Sequence, residues 1–320
     1  MAKNDNIQDL LKDVADAIRT KKGSEDLINP QDFSSEIESI KTSMWTGHAD
    51  VEGLKAIGWD DDDITYFQEH GVDWDEEYDD YFKVSDDNKA LYGVLTADNI
   101  SEYKDRIVYL PKIDTSAKFS FSNFLHQCYA LYAIPMIDVS NATTTYGIFQ
   151  NCSSLRHVPN LNYIKSKSGD AMFSGSGLSG YFVFDAQNIT SLNQTFRECK
   201  NLRAIKMENS DNVTNMGMLF YNSTYLCYVL FDASKSSNLG NAFYGCMSLA
   251  SVFIRNLKVN ISFTSSPLIS KESLVYIINN EAATSAIMIT LHAYAYSHLA
   301  EDADIVEALS NHPLVTLASE

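Results

Sequence analysis

The chain has 320 residues, of which 45% are hydrophobic and 12% aromatic: enough to bury a core, and too many for a wholly disordered protein. Its 24 Lys and Arg stand against 42 Asp and Glu, and a net charge of -18 excludes a phosphate backbone or an anionic membrane surface as its natural partner. No apolar run reaches the roughly eighteen residues of a membrane span, and five cysteines without close pairing fit a reducing compartment better than a disulfide framework.

The charge is uneven. Residues 1–49 carry net -3, residues 50–87 carry 2 basic and 15 acidic side chains for net -13, and residues 88–320 carry net -2. Four domains are predicted: 1–45 helical docking or oligomerisation segment, 46–100 acidic aromatic domain, 101–262 repeat region, and 263–320 C-terminal cap.

The first segment opens with MAKNDNIQDLLKD, polar and acidic, without the basic-then-apolar pattern of a signal peptide. Ile7, Leu10, Leu11, Val14 and Ile18 share one face of a predicted helix, ended by Lys21, Lys22 and Gly23. Asn29 and Pro30 then suit the start of a second helix, in which Phe33, Ile37 and Ile40 align. These eight apolar residues are the docking or oligomerisation candidates, either packed on the rest of the chain or pairing with other subunits. Two such helices bury too little to stand alone.

The acidic zone contains Trp59 and Trp74, with Trp45 beside it. Asp60 to Asp63 precede Ile64, Tyr66 and Phe67, and carboxylates at a helix start cap it and interact favourably with its dipole. Asp73 to Asp80 lack the central glycine and closing glutamate of an EF-hand, so the run reads as a solvated face.

Residues 113–257 hold six repeats: FLHQCYAL, IFQNCSSL, MFSGSGL, TFRECKNL, LFYNSTYL and AFYGCMSL. Their apolar anchors are Leu125, Phe149, Phe173, Phe196, Phe220 and Phe243, spaced 24, 24, 23, 24 and 23 residues apart. An acid/amide ladder (Asp114, Asp138, Asn162, Asp185, Asn209, Asp232) keeps the same spacings. A fixed period in the twenties predicts stacked units that bury their apolar sides on neighbours. Cys128, Cys152, Cys199 and Cys246 follow their anchors by three residues, with Ser176 and Ser223 in the same slot. Cysteines strung along an axis predict small buried side chains rather than a metal site. Cys227 lies off the ladder. Candidate surface recognition residues are Tyr129, Tyr132, Tyr221, Tyr225, Tyr228 and Tyr244, against the plain alternative that tyrosines pack between units.

Downstream, ISKESLVYIINNEA reads as a helix capped by Ser270, AIMITL as a strand, HAYAYSHLAEDADIVEALSNH as one or two helices, and PLVTLASE as a last strand.

The pattern carried by Asp138, Ser140, Asn141, Phe149, Cys152, Leu155 and Pro159, echoed from Asp185 to Ile205, resembles the BspA-type leucine-rich repeats of gut-bacterial surface proteins and their phages. The resemblance covers Ile113 to Leu257. It implies one short strand and one helical or turn segment per coil. Repeat three lacks the cysteine, and Glu208 stands where an apolar residue is expected. The expected fold class is therefore α+β: short N-terminal helices, a small acidic helical domain, a leucine-rich-repeat solenoid of 23–24-residue coils, and an α/β cap. LLKDVADAIRTKKG with INPQDFSSEI, and the stretch Val84 to Ile100, are similar to segments of structural proteins of tailed phages, including crAss-like phages of Bacteroides.

These resemblances imply a non-enzymatic virion protein, a head or tail fibre or decoration, assembled in the host cytoplasm. It would bind other virion proteins through residues 1–45 and a host surface protein or polysaccharide through the repeats, as a homodimer or trimer. No nucleic acid, cofactor, metal or catalytic residue is expected: the seven histidines are scattered, and no phosphate loop, HExxH or nucleophile elbow is present. The alternatives are a bacterial surface or secreted adhesin and a glycan-degrading tail component.

Overall fold

The computed structural model describes residues 51–70, 96–105, 107–156, 158–159, 161 and 166–320. The docking candidates Ile7, Leu10, Leu11, Val14, Ile18, Phe33, Ile37 and Ile40, the Asp73–Asp80 run, Trp45 and Trp74 lie outside them. The chain divides into two compact units, Met1–Val84 and Ser85–Glu320.

In the first unit, α1 (Val51–Ala56) and α2 (Asp61–His70) are joined by a tight turn. The acidic cluster starts α2 as expected: the Asp63 N–H donates to Asp60 Oδ1 at 2.9 Å, and the Asp60 N–H reaches back to Asp63 Oδ2 at 3.4 Å. This reciprocal cap satisfies two amides that a helix start leaves without partners. Behind it, Trp59 and Phe67 meet edge to face at 5.8 Å, buried with Leu54, Ile57 and Ile64.

The second unit holds two parallel sheets. One has the order β1 (Gly180–Asp185), β2 (Leu202–Glu208), β3 (Tyr228–Asp232), β4 (Ser251–Arg255). The other has the order β5 (Ile261–Phe263), β6 (Ile287–Leu291), β7 (Val315–Ser319). Three helices, α3 (Lys271–Asn279), α4 (Ala293–Leu299) and α5 (Ala303–Asn311), are interleaved with β5–β7. Ser270 caps α3 by accepting the Ser273 N–H, as its position in the sequence implies.

The expected leucine-rich-repeat solenoid is corrected by this architecture. Among the described residues the chain forms two small parallel sheets and five short helices, not a strand and a helical segment in every coil. No α-helix falls between Asp105 and Ser270 among them, and before β1 the parallel pairings are isolated bridges such as Tyr109–Ala133 and Ser120–Thr144.

The backbone supplies the reason. Two residues before each anchor stand Asn123, Gly147, Ala171, Gln194, Met218 and Asn241; two after stand Gln127, Asn151, Gly175, Glu198, Asn222 and Gly245. All twelve are left-handed, with φ between +51° and +76°. Left-handed residues on both sides of the anchor forbid a helical turn. Each such segment is instead a series of tight turns.

What the 23–24-residue period does specify is contact between corresponding residues. The N–H groups of Leu125, Phe149, Phe173, Phe196 and Phe220 each donate at 2.9 Å to the carbonyl just before the next anchor. Phe149, Phe173, Phe196, Phe220 and Phe243 form a buried column of stacked rings, with centroids 5.3, 5.6, 5.7 and 5.6 Å apart. Phe263 closes it, 5.1 Å from Phe243.

Candidate attachment surface

Side chains capable of chemistry are largely engaged in holding neighbouring segments together. Cys152 Sγ donates to the Leu125 carbonyl at 3.0 Å, Cys199 Sγ to Phe173 at 3.1 Å, Ser223 Oγ to Phe196 at 2.7 Å, and Cys246 Sγ to Phe220 at 3.1 Å. Every acceptor is the anchor of the preceding segment. The slot therefore needs a small donor, which explains why serine and cysteine alternate in it. Burial pushes the thiols of Cys128, Cys199 and Cys246 up to about 12 and raises Cys152 as well. Cys227, off this column, is partly exposed and bonds the Arg203 carbonyl at 3.0 Å.

The acid/amide ladder is also structural. Oδ1 of Asp114, Asp138, Asp185 and Asp232 accepts the N–H two residues on, at 2.8–3.0 Å. Asn209 and Asn256 then donate from Nδ2 to Asp185 and Asp232, at 2.8 and 2.7 Å. Hydrogen bonds from the Ser116 and Ser140 hydroxyls and amides hold the carboxyls of Asp114 and Asp138 below their usual range. Asn162 lies outside the described residues. Among those residues, no group of three or more potential metal ligands comes together.

The outward side chains separate the tyrosine candidates. Tyr129, Tyr225 and Tyr244 are exposed, at 45%, 50% and 49%, and Tyr221 is half-buried. Tyr132 and Tyr228 are only 7% and 4% exposed, which removes them from the recognition candidates. Tyr132 packs against Tyr109 at 6.4 Å, and Tyr228 against Phe253 at 5.7 Å.

Two of the remaining tyrosines form a row that spacing predicts, since each follows its anchor directly. Tyr221 and Tyr244 stack at 4.9 Å and 18°, and the Arg197 guanidinium lies 5.4 Å from the Tyr221 ring. Arg197 is itself held by Glu198 Oε1 at 2.9 Å and Gln194 Oε1 at 3.2 Å. Alongside, Arg203 covers the Tyr225 ring at 4.5 Å. These arginines were not among the sequence candidates. Their signal is the stretch RECKNLRAIK, with Arg197, Lys200, Arg203 and Lys206 at every third position.

Stacking covers one face of Tyr244 and leaves about half of that residue exposed. Exposed Met247 stands beside it in sequence. No helix among the described residues is long and apolar enough to cross a membrane. No protein-family model matches the chain, and no curated protein matches its sequence.

Proposed function

We propose that the protein is a non-enzymatic structural component of a tailed-phage virion, a head or tail fibre or decoration. Residues 1–45 dock it to other virion proteins or to sister chains, as a dimer or trimer. The outer surface of residues 101–262 attaches to a host protein or polysaccharide.

The observation that carries this reading is the aromatic and cationic set of half-buried Arg197 and Tyr221 stacked with exposed Tyr244, together with exposed Arg203 and Tyr225. Cysteine and serine side chains bond between segments and the aspartates bond turns beside them, whereas this set offers residue types that serve recognition. The likeness of Leu10 to Gly23, Ile28 to Ile37 and Val84 to Ile100 to segments of phage structural proteins supports the virion reading.

Immunogold labelling of purified particles, with antibody against residues 88–320, tests it. Gold at a fixed position on intact particles is expected. Particles that contain no trace of the chain, by labelling and by mass spectrometry, would overturn the reading.

A further inference from the structure

We infer that the strip around Lys200 and Arg203 binds a carboxylate-bearing polysaccharide. This rests on reading the outer surface as an attachment surface, and it names the ligand class and the residues that select it.

The strip is a local reversal of charge. Residues 197–206 hold four basic side chains against one acidic, in a protein of net charge -18. Its neighbours do not neutralise it. β2 lies between β1 and β3. The adjoining stretches, Phe173–Phe184 and Tyr221–Phe231, contain no charged residue. Those two stretches therefore bring no carboxylate to Lys200 and Arg203.

The four cations are not equivalent. Arg197 is paired with Glu198, and Lys206 with Glu208 at 3.3 Å. Lys200 and Arg203 are exposed, and among the described residues neither has a carboxylate partner. Arg203 lies over Tyr225, which orients its planar fork while leaving the N–H groups for an incoming carboxylate. An arginine so oriented, with an exposed lysine three residues before it in the chain, suits spaced anionic groups.

The aromatic row favours sugar over an acidic peptide. Protein partners anchor by burying aromatic or apolar side chains in pockets. Here Tyr244 lies flat on Tyr221 and Tyr225 lies against Arg203, so the rings are held in the surface and offer their hydroxyls and remaining exposed area beside the cations. A polyanionic sugar chain can use both, through carboxylates and hydroxyls.

The test uses the full chain at low salt, with polygalacturonate as probe, and neutral dextran and polyglutamate as comparisons. Polygalacturonate should bind, and more weakly as salt rises. Dextran should not bind, and polyglutamate should bind less tightly. Arg203→Gln should weaken binding about tenfold or more, Lys200→Gln should also weaken it, and Arg203→Lys should restore part of the loss. Thermal melts establish that each variant is folded; both positions are exposed, so Lys200→Gln provides an independent arm. Failure to bind polygalacturonate, equal or tighter binding of polyglutamate, or binding unchanged in the Arg203→Gln/Lys200→Gln double variant overturns the inference. Each of these would leave particle labelling unaffected, so the two readings fail separately.

Discussion

Ser223 occupies a slot in which three of its counterparts are thiols that bond an anchor carbonyl. Its hydroxyl donates to the Phe196 carbonyl and accepts the Cys199 N–H at 3.1 Å, in a fully buried position. Replacing it with alanine removes a partner from both groups. Ser223→Ala should cost about 1–3 kcal/mol in chemical denaturation, whereas Ser223→Cys, which restores a weaker donor of the kind found at Cys199, should cost less. The thiols make a second prediction. Burial raises all five thiols, and exposure separates them: Cys128, Cys152, Cys199 and Cys246 are buried, whereas Cys227 is partly exposed. Alkylation of the native protein near neutral pH, followed by peptide mapping, should mark Cys227 first. Labelling of the four column cysteines at the same rate would contradict their placement. Asp114 and Asp138 give a pH dependence of definite sign. Their folded pKa values lie below the ordinary 3.8, so their contribution is present above that value and is lost as pH falls through the folded one. Stability should therefore drop on acidification below pH 3.8, and Asp138→Asn, which keeps an acceptor for the Ser140 N–H, should flatten that part of the profile.

At the scale of elements, the anchor column and its flanks decide the architecture. Phe196 stacks on Phe173 and Phe220 and also meets Phe184 edge to face at 5.3 Å. Phe196→Ala should destabilise by about 3–5 kcal/mol, because the cavity would be walled by four aromatic rings, Phe182 at 6.1 Å among them. Leucine, which fills the first anchor position at Leu125, should be tolerated better at this site. The left-handed flanks are equally specific. At Gly245, φ is +76°, and an added Cβ would lie 2.3 Å from Asn222 Oδ1. Gly245→Ala should therefore destabilise, while Ala171→Gly, at a φ of +53°, should be neutral or stabilising by up to about 1 kcal/mol. The period, the anchors and the Cys/Ser slot were legible because they recur in the sequence. The turn conformation was not. Gln194, Met218 and Glu198 give no propensity signal for left-handed backbone, and only their alignment with Gly147, Gly175, Asn151 and Asn222 reveals it. That is why a helical segment or generic turn was expected where paired left-handed residues stand.

Across the whole chain, the acidic charge and the outward row fall in different stretches of sequence. The acidic residues of 50–87 carry net -13, whereas the outward row of residues 197–244 is cationic and aromatic. Composition revealed the first, but the second emerges only when residues one period apart are brought together. Tyr221 and Tyr244 were recognisable as projecting residues. Tyr228 was not separable from them, because alternation alone does not reveal that Phe253 covers it. In turn, Tyr276 of α3 meets Phe253 edge to face at 5.1 Å, a contact that joins the C-terminal elements to β4.

Competition for adsorption tests most directly the proposed attachment of this outer surface to a host. Purified full chain, added to host cells before the particles that carry it, should reduce adsorption in proportion to its concentration. The Arg203→Gln/Lys200→Gln double variant should compete far less at the same concentration. Adsorption unaffected by saturating chain, or competition undiminished in the double variant, would contradict the account.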